Sequence, residues 1–459
     1  MYKFLLARRY FVKRKSTALA VAAVALCVFM VVVVMTVMSG LVREFKEKNH
    51  RFFGDAIISS DSLVGFAHYE NFLEELVEKD YVLQASPVIE TVGILESQMS
   101  GSQSGMKIMG FDPARHAKVT AFEESLHYRE DEPEMAFVPT YRPNQPGVVV
   151  GIDLLRSRQG KMGEYYHEPN PMHIKLNVSC FPLTARGNLA RAGIGGGLVN
   201  TKAFYYSDDS HSGLVEQDGG YIYMSLDDLQ ALCGMDGTYP RIHSIFVKYA
   251  KGMDVETATA RVKRLWDDYV ANIAADAETS YEKRLAGLMD HVNVETWKQY
   301  RAAMIAPMEK EETMMTLVFL MLGFITVFII FVVFYMMISS KSKDIGILKS
   351  MGVSSGGVLS VFLGLAGIVG TTGTAIGMAG GIALLVKVHA IEDWLFENYQ
   401  WQLWDRSVYA IGEIPNQIEW QTMVFIAACS VAACLAGAAI PSMQAARRRI
   451  AEVLQVDQL

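Results

Sequence analysis

Polar and apolar positions follow two different patterns along this chain. Four stretches, residues 17–38, 314–338, 356–386 and 422–440, contain no Asp, Glu, Lys, Arg or His. Each is long enough for a helix that crosses the hydrocarbon core, which needs roughly 20 apolar residues. The long segment between the first two reads differently. Short runs rich in β-formers and bounded by turn residues predict strands at 55–59, 106–111, 147–150, 173–178, 220–224 and 242–249. Helical periodicity predicts helices at 70–79, 225–232 and 254–276, with Ser225 as a cap and Asp227 and Asp228 in the first turn. Residues 40–53 and 294–315 read as helical stalks, the second running into span two. Residues 185–201 are Gly-rich and basic and read as an exposed loop or hairpin.

The expected fold class is a four-helix membrane bundle with one large α+β extracytoplasmic domain. Its parts are a basic amphipathic segment (1–16), span one (17–38), the α+β domain with helical stalks (39–313) and span two (314–338). A loop (339–355), span three (356–386), a second outer loop (387–421), span four (422–440) and a tail (441–459) complete it. Span one follows a basic stretch, but its apolar run exceeds the roughly 7–15 residues of a signal peptide, so it reads as an uncleaved anchor.

Charge sets the orientation. Lys3, Arg8, Arg9, Lys13, Arg14 and Lys15 precede span one with no acid among them. Lys341, Lys343 and Lys349 flank a single acid, Asp344, after span two, and Arg447, Arg448 and Arg449 follow span four. The 387–421 loop is acidic, with Glu392, Asp393, Glu397, Asp405, Glu413 and Glu419 against Lys387 and Arg406. The positive-inside rule places both termini and the 339–355 loop in the cytoplasm of a bacterial inner membrane. Cys27, Cys429 and Cys434 fall in spans. Cys180 and Cys233 fall in the outer domain, where a disulfide is chemically permitted and both states, paired and free, stay open.

The chemistry the chain lacks narrows its function. Ion-coupled carriers need ionisable groups inside the membrane, and the spans have none. There is no GxxxxGK[ST] phosphate loop, so the chain binds no ATP by that device, and a separate ATPase is the economical source of energy. No GxSxG, HExxH or zinc-type Cys/His spacing occurs, so no catalytic or metal site is expected. In SSKSKDIGILKSMGVSSG (339–356), Ile345, Leu348 and Gly352 lie at i, i+3 and i+7, and Ile347 and Met351 lie four apart. This is a short amphipathic helix, with Asp344 in its first turn, Lys349 in its last and Gly352 as its stop. It suits a handle for a partner protein, with Ile345, Leu348 and Met351 as its apolar contact. From amphipathicity alone, an interfacial turn lying on lipid is the favoured reading. Gly373, Gly377 and Gly381 form overlapping GxxxG motifs, which serve either packing within this bundle or a dimer seam.

Taken in order, the segments resemble the lipoprotein-releasing permeases of the LolC/LolE type, within the wider MacB/FtsX-like group of ABC permeases. The resemblance starts at FLLARRYFVKRKS and VMTVMSGLVREFKEK and continues through MKIMGFDP, GVVVGIDLL and YIYMSLDDLQALCGM. VETWKQYRAAMIAPMEKEETMM, with Trp297, Glu309 and Lys310, and KSKDIGILKSMGVSSGGVLSVFLGLAGIVG are its most specific pieces, and IGEIPNQIEW and PSMQAARRRIAEVL close it. Span one lacks the glycines usual there, and residues 156–201, which include the place of the family's chaperone-contacting hook, do not align readily.

The resemblance implies a periplasmic core domain with a porter-like subdomain, and a coupling helix (341–353) that docks on the ATPase through Lys343, Asp344, Ile345, Ile347, Leu348, Lys349, Met351 and Gly352. It implies mechanotransmission: ATP, bound with Mg by a partner ABC ATPase dimer, closes that dimer and moves stalk helices, and no cofactor binds this chain. The other implied partners are a second permease, identical or paralogous, a lipoprotein substrate, a periplasmic lipoprotein carrier and membrane lipid, with no nucleic acid. Two competing readings are an FtsX-like regulator of a periplasmic hydrolase and a MacB-like efflux component. The size of the outer domain disfavours the first, and the lack of a fused ATPase disfavours the second.

Overall fold

The computed structural model describes residues 15–97, 101–156, 158–159, 164–190, 198–340, 342–401, 414 and 416–447. The described residues divide into two compact units, one helical (15–43, 307–401 and 414–447) and one α+β (44–306). Both boundaries next to the α+β unit fall inside helices, at Arg43/Glu44 in α1 (Lys15–Phe53) and at Ala306/Pro307 in a later helix, Ala302–Ser340.

The α+β unit follows α1 with β1 (Ala56–Ser60), α2 (Tyr69–Val77), β2 (Val82–Ser97), β3 (Gln103–Phe111), α3 (Pro113–Val119) and β4 (Gly147–Gly151). Next come β5 (Lys175–Cys180), β6 (Asn200–Ser210), β7 (Tyr221–Ser225), α4 (Leu226–Cys233), β8 (Ser244–Tyr249), α5 (Val255–Asp276), α6 (Ser280–Met289) and β9 (Val292–Thr296). The strand order is β9-β1-β8-β2-β3-β7-β4-β6-β5, and β5 also pairs with β2. The long strand β2 makes this possible. Its first half pairs with β8 and its last residues, Gly93–Ser97, with β5, so β2-β3-β7-β4-β6-β5 closes into a ring and β8-β1-β9 extends from it. Gly93 sits at the handover. A β-carbon there would come within 2.6 Å of the Ser179 carbonyl oxygen and would strike Ile108.

The core joins the strands to α2, α4 and α5: Phe72, Leu73 and Leu76, then Leu229 and Leu232, then Val262 and Trp266. Trp266 meets Phe66 and Phe72 edge-on, with centroids 5.3 and 4.8 Å away. Ser225 caps α4 by accepting from the Asp228 N–H. One sequence expectation is corrected. Residues 294–296, read as the start of a helical stalk, belong to edge strand β9, where Val294 pairs with Ile58. A single turn α7 (Trp297–Tyr300), with a Thr296/Gln299 capping box, follows before α8 (Ala302–Ser340) begins.

The helical unit contains the membrane part of α1, most of α8, a short α9 (Ser342–Ser350), α10 (Ser355–Tyr399) and α11 (Trp420–Arg447). Among the described residues, four helices are long and apolar enough to cross a membrane. Their shared core includes Val24, Val28 and Val32 of α1, Ile330 and Phe334 of α8, Leu365 and Val369 of α10, and Cys434 and Ala438 of α11. The glycine stripe of α10 packs within this chain, against α1. A β-carbon at Gly373 would lie 2.8 Å from Val24 Cβ, one at Gly377 2.8 Å from Val28 Cβ, and one at Gly381 2.8 Å from Val32 Cγ1. Without a hydrophobic drive between helices in lipid, such close backbone approach is what holds a bundle together.

Two predictions follow from this packing. Gly377→Leu forces α1 and α10 apart and should cost at least the roughly 1–3 kcal/mol of core overpacking. The melting midpoint of the detergent-purified protein should fall by several degrees, whereas Gly364→Leu, where nothing lies within 4 Å, should leave it in place. Equal midpoints for the two variants would contradict this packing. The second concerns Asp218, which is fully buried and accepts from the Ser212 N–H at 2.7 Å, the Ser212 hydroxyl at 2.8 Å and the Gly213 N–H at 3.2 Å. Burial outweighs these bonds and pushes its carboxyl up to about 7. A raised acid contributes stability that is full below the ordinary carboxylate range and is lost as pH rises through about 7. The midpoint of Asp218→Asn relative to the native chain should therefore climb between pH 5 and pH 8. A difference that does not change with pH would refute the assignment.

Candidate functional site

The basic segment after span two folds as α9, a helix–turn element resting on the helical unit. Gly352 takes a φ of +93°, a conformation that L side chains avoid, and stops the helix, with its N–H donating to the Lys349 carbonyl at 3.0 Å. Ser354 then caps α10 by accepting from the Gly357 N–H at 3.2 Å. A chain that must turn sharply between two helices needs both devices, and SMGVSSG supplies them.

Two contacts seat the helix. Ile345 is only 3% exposed and packs with Ile338 at the end of α8, Val358 and Phe362 at the start of α10, and Ala445 near the end of α11. The Lys349 ammonium donates to the Ala446 carbonyl at 2.7 Å, placing a cation at the negative end of α11. Ile347 and Met351 are left 52% and 77% exposed.

These positions revise the sequence expectation at one residue. Ile345 was expected to form an apolar contact with a partner, but it is consumed inside the chain, because it sits on the face of α9 turned toward α8, α10 and α11. Met351 remains available, and Ile347 joins it. The side chains of Lys343, Asp344 and Leu348 lie outside the described residues.

The second part of the candidate site is the place where the chain enters and leaves the α+β unit. Trp297 is half-buried and its indole stacks on His50, near the end of α1, with centroids 4.8 Å apart. His50 Nε2 lies 2.6 Å from Asp55 Oδ1, and Asp55 also accepts from the Tyr249 N–H at 2.8 Å and from Lys248 at 3.2 Å. Burial of Asp55 opposes ionisation, but these partners prevail and hold its carboxyl below the ordinary range.

Arg301 completes the junction. It donates to Asn49 Oδ1 at 3.0 Å and to Glu216 Oε2 at 2.6 Å, and its guanidinium lies over the Phe53 ring, 4.6 Å from the centroid. Glu216 in turn accepts from Lys107 of β3 at 2.7 Å. Burial again works against this carboxylate, and Arg301 and Lys107 keep it low nonetheless. Glu309 and Lys310 belong to the helical unit, in α8. Glu309 is half-buried and Lys310 exposed.

Sequence reasoning singled out Trp297 but missed Arg301, Glu216, Asn49, His50 and Asp55. Asn49, His50 and Asp55 lie together near the end of α1, far in sequence from Glu216 and Arg301, and no local pattern links the three places. Among the described residues, no group of three His, Cys, Asp or Glu side chains could hold a metal ion. Cys180 and Cys233 are buried in the same core cluster, each as a free thiol.

Comparison with known proteins agrees with this architecture. Residues 17–265 match the MacB-like periplasmic core domain, and residues 316–450 match the FtsX-like permease C-terminal domain. The lipoprotein-releasing system transmembrane protein LolC of Xylella fastidiosa (strain Temecula1) is 22% identical over 95% of this chain and 93% of its own length. The LolC protein of Neisseria meningitidis serogroup B is 21% identical over 96% of this chain and 94% of its own. The periplasmic region of MacB from Actinobacillus actinomycetemcomitans is a solved structure with a TM-score of 0.30 and 11% identity, covering 55% of this chain and 93% of that one. With one domain match spanning more than half of its length and the other covering its last three spans, this multi-pass inner-membrane protein belongs to the MacB/FtsX-like ABC transporter permeases, of the LolC/LolE type.

Proposed function

We propose that this chain is the permease of an ABC transporter that releases lipoproteins from the outer leaflet of the inner membrane to a periplasmic carrier, driven by a separate ATPase dimer. Both termini and α9 face the cytoplasm in this reading, and the α+β unit faces the periplasm. The observation that carries it is α9. A short helix is pinned to the ends of three spanning helices by Ile345 and Lys349, yet it presents Ile347 and Met351 outward. A bare interfacial turn has no need of such anchoring. A handle does, because a push on it must reach the helices it rests on.

The remaining steps follow from the same parts. The spans carry no ionisable group, so work enters at the cytoplasmic face. ATP and Mg are held by the ATPase, and this chain supplies the coupling surface. The helices α1 and α8 carry displacement toward the α+β unit, where Arg301 and the His50–Trp297 stack fasten the chain at entry and exit. Extraction needs outside work, because each lipid CH₂ drawn from the bilayer costs about 0.8 kcal/mol. The extent of the likeness to LolC proteins supports lipoprotein cargo over efflux of small molecules or control of a hydrolase.

The test is reconstitution in proteoliposomes with the ATPase and a lipid-anchored protein. Release should require both ATP and an acceptor carrier. The double variant Ile347→Asp with Met351→Asp should lose at least tenfold in ATPase co-purification and lose release, with an unchanged melting midpoint, since both side chains are exposed. Full association and release in the variant would return α9 to an interfacial turn. Transport of soluble small molecules alone would replace the proposed cargo.

A further inference from the structure

We propose that Cys180 and Cys233 are joined by a disulfide in the mature protein, a covalent staple at the root of the loop that follows β5. The inference rests on the periplasmic placement of the α+β unit proposed above, since disulfides persist in oxidising compartments.

Position and packing argue for the bond. Cys180 is the last residue of β5, opposite Gly93 of β2 and Asn200 of β6. Cys233 is the last residue of α4, directly before Gly234, which takes a φ of +64°. Both side chains are buried and belong to the same core cluster. The backbone around them is clasped independently of the sulfurs. The Leu183 N–H donates to the Cys233 carbonyl at 3.1 Å. Arg241 donates from one guanidinium nitrogen to the Leu183 carbonyl at 2.6 Å and to the Gly234 carbonyl at 3.1 Å. Asn200 Nδ2 donates to the Leu232 carbonyl at 3.0 Å. The segments that carry the two cysteines are thus clasped by contacts that do not depend on the sulfurs, and both side chains pack in one buried cluster, the setting in which two thiols can reach the separation a disulfide requires.

The chemistry balances as an exchange. A thiolate of one cysteine attacks a disulfide of a protein thiol oxidant, forming a mixed disulfide. The second cysteine displaces the oxidant, which leaves as a dithiol carrying the two electrons and, with solvent, the two protons. In the finished fold both cysteines are buried, and the neighbouring Cys233 and burial push the Cys180 thiol up. Oxidation therefore belongs to the folding stage, before α4 closes over β5. Once formed, the bond fixes the C-terminal end of α4 to the β2–β5–β6 corner and anchors the base of the following loop.

The experiment counts thiols in the full-length protein. Cells are quenched in acid, and the purified chain is denatured and treated with a maleimide, with or without prior reduction. Of the five cysteines, three should react without reductant and five after it, and a peptide pair linking Cys180 to Cys233 should be two hydrogens lighter than its reduced parts. Cys180→Ala should give four adducts under both conditions. As a separate control, Lys251→Cys, at an exposed position, is labelled in intact cells with a membrane-impermeant maleimide. Five adducts without reductant, with the control labelled, would overturn the disulfide and leave the topology standing. A control protected until lysis would overturn the topology and the disulfide together. A bond to Cys27, Cys429 or Cys434 would also refute the proposal.

Discussion

The guanidinium of Arg301 is the contact on which the junction of this protein depends. The chain enters the α+β unit through the end of α1 and leaves through β9, α7 and α8, and Arg301 bonds to both sides of that passage. Asn49 and Phe53 belong to the entering helix, Glu216 to the short helix Val215–Gly220 that leads into β7, and Arg301 itself sits between α7 and α8. The ion pair is largely removed from water, and deleting Glu216 would leave the Arg301 guanidinium without its carboxylate partner. Glu216 is further committed to Lys107, so the same charge network reaches β3. The His50–Asp55 contact and the Trp297 stack repeat this arrangement a few residues away. Two segments far apart in sequence are thereby fastened together where a load would have to pass.

The membrane part meets a different constraint. Its spans carry no charge, so their association relies on close packing, to which the Thr374 hydroxyl of α10 adds a hydrogen bond to the Ser430 hydroxyl of α11 at 2.9 Å. The α10 glycines are spent on α1, and Gly437 of α11 lets the Val327 carbonyl of α8 approach, where a β-carbon would sit 2.6 Å from that oxygen. Of the two uses open to the GxxxG stripe, the structure assigns it to packing inside one chain. Placing α9 against the ends of α8, α10 and α11 then makes any force on α9 a force on three helices at once.

Much of this was legible in the sequence, and the parts that were not have physical reasons. The spans show in uninterrupted apolar runs. The strands with dense β-formers, such as Gly147–Gly151 and Ser244–Tyr249, also show. Strand β2 does not, because Pro87 and Gly93 break its pattern and its character comes from pairing with three partners. β6 hides because Ser207, Asp208, Asp209 and Ser210 are polar yet fully buried. β9 was read as helix because VETWKQY continues into strong helix formers, and only its pairing with distant β1 makes it a strand. In α9, periodicity reveals an amphipathic helix but not which apolar residues its own bundle claims. Ile345 and Ile347 lie two apart, one buried and one exposed, and that distinction depends on Val358, Phe362 and Ala445.

The central claim is that ATP hydrolysis reaches the α+β unit as movement carried by continuous helices. A flexible insertion in α8 tests it most directly. A Gly-Ser linker placed after Lys310 interrupts the helix on the helical-unit side of Pro307 and leaves α9, the Arg301 junction and both domain cores untouched. Lipoprotein release and ATP hydrolysis are then measured together in proteoliposomes with the ATPase and an acceptor carrier. The account predicts that ATPase binding and hydrolysis persist while release falls to the level seen without ATP. Release at the native rate in the presence of the linker would contradict it.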